Sequence, residues 1–219
     1  MENIGEIELR GYENSIIAKK EIAFANQLKQ MAKQELKKAE AREELMRRQL
    51  QLAEIGEELA EQNRKLVQQK SKSKHLIKVP EDVLKNEQEF SNYNELLANN
   101  QKDIAKIHKK IAKLERQISE RRIDLAKEKI DFGKKRLSIS KKQLKYVKAV
   151  KTKKEEAKIK NIRNQYKSEQ NELNDARKDV LDIEKDIRKM QNKIADLRGQ
   201  LSIEFSESEK IKYTTNIMD

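Results

Sequence analysis

The sequence predicts an all-α protein: an elongated antiparallel coiled-coil hairpin with an additional long N-terminal helix. Three observations predict it. Charged residues make up 40% of the 219 positions and aromatic residues only 4%. Apolar residues recur at every seventh position along three separate lines. A single proline and five glycines leave few places for a helix to break.

The composition excludes an ordinary compact core. Hydrophobic residues account for 36% of the chain, against roughly 45–50% in globular domains. Scattered through the sequence, so few apolar side chains could not offset the entropy of ordering the chain. Their strict period instead gathers them on helix faces, where long helices become stable by pairing.

Residues 1–13 read as an N-terminal extension, and 14–70 as a long amphipathic helix with Asn14 or Ser15 as its cap. One line of this helix runs Ile17, Phe24, Met31, Lys38, Leu45, Leu52, Leu59 and Leu66. A second runs beside it through Ala18, Ala25, Ala32, Ala39, Met46, Ala53, Ala60 and Val67. An aliphatic ridge next to a strip of small residues suits a helix that meets more than one neighbour, one of them at close approach.

Residues 71–80 form a basic linker ending in Pro80. Glu81 and Asp82 follow, and a proline with acidic residues behind it is a helix-start signature. Residues 81–205 then form the hairpin, with helix 2 over about 81–150 and helix 3 reaching about 203.

Helix 2 carries Val83, Phe90, Leu97, Ile104, Ile111, Ile118, Leu125, Phe132, Ile139 and Tyr146, with Tyr93, Ile107 and Leu114 as further seam positions. Helix 3 carries Ile159, Tyr166, Leu173, Val180, Ile187, Ile194 and Leu201, with Ile162, Ala176, Ile183, Met190 and Leu197 beside them. The expected coiled-coil seam is Leu97, Ile104, Ile111, Ile118 and Leu125 against Leu173, Val180, Ile187, Ile194 and Leu201.

The turn between helices 2 and 3 lies between 133 and 154. Gly133 is one candidate, but the heptad line passes through Phe132 to Ile139 without losing register. The spacing of Thr152 and Glu155, that of a capping box, favours the later position. Residues 206–219 lose the seam and read as a flexible tail.

The net charge of +12 is unevenly placed. Twelve basic residues against two acidic ones lie between Lys134 and Lys160. The expected anion-contacting set is Lys134, Lys135, Arg136, Lys141, Lys142, Lys145, Lys148, Lys151, Lys153 and Lys154. A smaller patch comprises Arg64, Lys65, Lys70, Lys72, Lys74 and Lys78. Such clusters attract phosphate-rich or acidic surfaces, although a lysine run also serves simply to solvate a helix. Lysine is a point charge without the planar fork of arginine, so sequence-specific reading of bases is not expected.

No motif carries chemistry. The two histidines, His75 and His108, have no second ligand at metal spacing, and no cysteine is present. Asp131-Phe132-Gly133 matches a kinase triplet in letters alone, without the glycine-rich or catalytic loops that give it meaning. Neither catalytic residues, nor a metal, nor a cofactor is expected.

The composition therefore points to a non-enzymatic coiled-coil scaffold, stalk or adaptor. Its partners would be proteins docked on helical faces, self-association included, with the basic segment 134–160 on an anionic surface. A nucleic-acid-binding helical arm and a peripheral membrane or secretion-system coiled coil are the alternatives. Neither a classical signal peptide nor a membrane span is legible, which suits an intracellular protein without excluding specialised secretion.

Overall fold

A computed structural model describes residues 3–73 and 80–215, with side chains described to residue 212. It holds three long helices, α1 (Ile4–Lys72), α2 (Glu81–Lys151) and α3 (Glu156–Thr215), and no strand among the described residues. His75, Lys74 and Lys78 fall outside the described residues.

The chain divides into two compact units. Unit 1 comprises Met1–Lys37 and Gln117–Met190, and unit 2 comprises Lys38–Arg116 and Gln191–Asp219. Each unit takes a stretch of all three helices.

The helix ends follow from their caps. Asn3 starts α1: its side-chain carbonyl accepts the Gly5 amide at 3.1 Å, and its main-chain carbonyl accepts that of Ile7. That is eleven residues before Asn14, the earlier of the two caps read from the sequence. Residues 4–13 stay helical because α2 supplies partners to them, as described below.

Pro80 stands one position before α2, its carbonyl accepting the Leu84 amide at 3.3 Å. At its other end, α2 closes in a Schellman motif, with the Lys154 amide on the Ala149 carbonyl and the Lys153 amide on the Val150 carbonyl. Lys153 takes the left-handed conformation this motif requires, with φ 49°. The turn is thus short and lies at 152–155, with α2 running unbroken through Gly133. Thr152 does not cap α3; its hydroxyl donates back to the Lys148 carbonyl at 2.8 Å. Helix α3 continues to Thr215, well past the end of its seam.

In unit 1, α2 lies between α1 and α3 and antiparallel to both. Ion pairs fix the alignment with α1: Glu8 to Lys151 at 2.6 Å, Glu21 to Arg136 at 2.8 Å, and Glu35 to Arg122 at 2.6 Å. The partners' numbers fall on one side as they rise on the other, as antiparallel register demands. Lys142 with Glu169, and Lys129 with Glu184 at 2.8 Å, align α2 with α3 in the same sense.

Unit 2 repeats the scheme with its own pairs. Arg116 meets Glu43 at 2.6 Å, Lys102 meets Glu57, and Arg64 meets Glu95 at 3.1 Å. Glu115 serves both outer helices, with Arg42 at 3.0 Å on α1 and Arg198 at 3.8 Å on α3. Half-exposed pairs of this kind contribute at most about 1 kcal/mol each, so their main effect is to select register.

Burial provides the stability. All ten expected seam residues are removed from solvent at least in part: Ile111, Ile118, Ile187 and Ile194 are buried, and the other six are half-buried. Burying a large aliphatic side chain contributes roughly 1.5–3 kcal/mol.

Helix α1 divides its two lines between the inside and the surface. Ala18, Ala25, Ala32, Ala39 and Ala60 are buried, while Ile17, Phe24, Met31, Leu45, Leu52, Leu59 and Leu66 are exposed. The strip of small residues takes the intramolecular contact because it lets two backbones approach closely. The aliphatic ridge, one residue back along the helix, points about 100° away. Val83 and Phe90 at the start of the α2 line are likewise exposed, at 42% and 63%.

Candidate functional site

The densest cluster of positive charge lies in unit 1, around the turn between α2 and α3. Successive lysines Lys134, Lys141, Lys145 and Lys148 are separated by seven, four and three residues, which places them along one face of α2. All four are exposed. The turn adds Lys153 and Lys154, and the start of α3 adds Lys158, paired with Glu155 at 2.9 Å, and Lys160, all exposed.

The ten residues expected to contact anions divide by what they touch. Arg136, Lys142 and Lys151 are committed to Glu21, Glu169 and Glu8, where they hold helix to helix. Arg136 also lies over the Phe132 ring, 5.0 Å from its centroid. Lys134 pairs only with the exposed Asp131 on its own helix, at 3.0 Å. Lys135, Lys141, Lys145, Lys148, Lys153 and Lys154 have no carboxylate partner among the described residues. The sequence shows the charge run but not this division, because the neutralising glutamates are more than a hundred positions away for Arg136 and Lys151.

The two aromatic rings that α2 carries in this segment are both engaged in packing. Tyr146 is buried and packs on Tyr166, ring centroids 5.7 Å apart. Phe132 is covered by Arg136. Neither ring of α2 here is an open platform on which a base could stack.

Three of the four described residues of the smaller basic patch in unit 2 are paired with carboxylates. Arg64 pairs with Glu95, Lys65 with Glu61 at 2.7 Å, and Lys70 with Glu87 at 3.3 Å. The Lys65 ammonium holds the Glu61 carboxyl below its usual range, first through the hydrogen bond and then through its charge.

Two grooves accompany these charges. In unit 1 an open groove of about 680 Å³ runs among the three helices, lined by Phe24, Phe132, Leu173, Val180 and Leu181 together with Arg177 and Glu184. In unit 2 another of about 540 Å³ separates the end of α1 from the start of α2, with Leu66, Val67 and Phe90 along it. No cluster of potential metal ligands occurs among the described residues. His108 is half-buried against Phe205, and burial first, then the Arg42 charge, lowers its pKa from the ordinary value of 6.5.

Among the described residues, no helix is long and apolar enough to cross a membrane. No known protein family, curated protein or solved structure matches the chain.

Proposed function

We propose that the chain is a non-catalytic helical scaffold whose lysine face beside the α2–α3 turn docks on a polyanionic surface. One observation carries the reading. Seven lysines of the basic segment, Lys160 and the six named above, have no carboxylate partner among the described residues, although 38 acidic residues are distributed through the chain. Exposed ammonium groups left unpaired on one helix face and its adjoining turn raise the local potential and attract anions.

The chemistry of the face supports surface contact over reading of individual groups. Lysine binds phosphate as a point charge and lacks the planar fork with which arginine reads individual groups. The suited surface is thus a run of phosphates, in a lipid headgroup layer or a nucleic-acid backbone, contacted without sequence preference. The helices serve to hold this face and to present apolar faces to protein partners.

The test is co-sedimentation with vesicles containing phosphatidylserine, and a parallel gel shift with a DNA duplex, across a salt series. The wild-type protein is expected to bind at least one of them at low salt and to lose affinity steeply as salt rises. Lys141→Glu, Lys145→Glu and Lys148→Glu together should abolish binding, as should Lys153→Glu with Lys154→Glu. Melting should stay nearly unchanged in both variants, since these side chains hold nothing together. Absence of binding to either probe at low salt overturns the docking role.

A further inference from the structure

Within unit 2, Leu45, Leu52, Leu59 and Leu66 recur at heptad spacing and are 51%, 69%, 56% and 56% exposed. A single exposed leucine needs no explanation, but four at this spacing make a continuous seam. Unit 2 does not use it: α1 turns Ala39, Leu50 and Ala60 inward instead.

The seam is almost free of charge. Between successive leucines, three or four residues on, stand Arg48 and Gln49, then Ile55 and Gly56, then Gln62 and Asn63. Arg48 alone is charged, in a chain where charged residues make up 40%. The exposed charges that border the row, Glu44, Glu58 and Lys65, are of mixed sign, and Arg48 is paired with Glu44, so neither a strongly acidic nor a strongly basic partner is favoured here. The fitting partner is neutral and apolar over the same length.

The centre of the quartet shows which neutral partner that is. Ile55 and Gly56 lie midway between Leu52 and Leu59. Ile55 is 52% exposed, and a Cβ placed on Gly56 would meet nothing within 4 Å. Glycine disfavours a helix interior, and the packing of unit 2 does not require one at this position. A knob thus stands beside an open hole at the midpoint of a symmetric row.

A second copy laid antiparallel puts Leu52 against Leu59 and Leu45 against Leu66, and seats each Ile55 over the other chain's Gly56. It also keeps the two Arg48 side chains apart, whereas a parallel copy would bring them together. We propose that this face of α1 is covered by the same face of a second copy of this chain, antiparallel, about a twofold axis between Ile55 and Gly56. The proposal extends the scaffold reading and does not depend on the lysine face.

The chain has no cysteine, so single introduced cysteines report orientation cleanly. Ile55→Cys lies at the axis and should form a disulfide-linked dimer on mild oxidation. Leu66→Cys lies opposite Leu45 of the other copy and should not, whereas Leu45→Cys with Leu66→Cys should. By sedimentation equilibrium the wild-type protein should be dimeric in the micromolar range. Leu52→Lys with Leu59→Lys should make it monomeric without loss of helix by circular dichroism, because both positions are exposed in the single chain. A monomeric wild type, a Leu66→Cys cross-link without one at Ile55→Cys, or an oligomer indifferent to the paired lysines each overturns the proposal. Vesicle and duplex binding, measured on the same variants, reports separately on the lysine face.

Discussion

The hydroxyl of Ser140, a side chain with no exposed surface, donates a hydrogen bond across to the main-chain carbonyl of Gly11 at 2.7 Å. Serine in a helix interior usually bonds its own helix or faces water. Here it ties α2 to α1, at a place where a Cβ on residue 11 would come within 2.9 Å of Leu144 Cδ2. Ser140→Ala removes the donor and is expected to cost about 1–2 kcal/mol in urea unfolding. Ser140→Val, which adds bulk as well, should cost more.

Two glycines in helix interiors should respond to alanine with opposite signs. A Cβ on Gly133 would lie 2.7 Å from Ile22 Cγ1 and 3.4 Å from the Ala18 carbonyl, whereas one on Gly199 meets nothing. Gly199→Ala gains helix propensity and should stabilise by about 0.5–1 kcal/mol. Gly133→Ala must displace Ile22 from a packed contact, and overpacking of this kind costs about 1–3 kcal/mol, which outweighs the propensity gain. Thermal melting of the two variants side by side checks the contrast.

Lys153 holds a left-handed backbone conformation that disfavours any residue with a Cβ by about 1–2 kcal/mol. Lys153→Gly should therefore raise the melting temperature. Lys153→Val, β-branched at a positive φ, should lower it.

His108 gives the chain a pH dependence of definite sign. Its folded pKa lies below 6.5, so as pH falls through the unfolded value the unfolded chain takes up a proton that the folded one refuses. Stability from this group is present above pH 6.5 and is lost as pH falls toward the folded value. His108→Gln should flatten the difference in melting temperature between about pH 7.5 and about pH 5. An NMR titration should place the folded midpoint below 6.5.

Much of the helical plan is written in the sequence because heptad spacing is a local property of the chain. The start of α2 behind Pro80 and the continuity of α2 through Phe132 and Ile139 follow from residues within a few turns of one another. The far end of α1, read at 70 and found at Lys72, is nearly as legible, but the start of α1 and the end of α3 are not. Residues 4–13 hold helical form through Asn3 and through partners on α2, including Lys151 and Ser140, which no local pattern discloses.

The candidate site divides in the same way. The sequence determined by itself that positive charge gathers between Lys134 and Lys160, because charge is a property of residue type. Only the tertiary structure decided that Arg136, Lys142 and Lys151 are spent on glutamates of other helices while Lys141, Lys145 and Lys148 are not. For α1, the sequence established two adjacent lines, and folding chose the alanines for the inside and left the leucines outside. A period fixes which residues share a face. Which face gains a neighbour depends on how closely another stretch of backbone can approach it, and that is settled only when the helices pack.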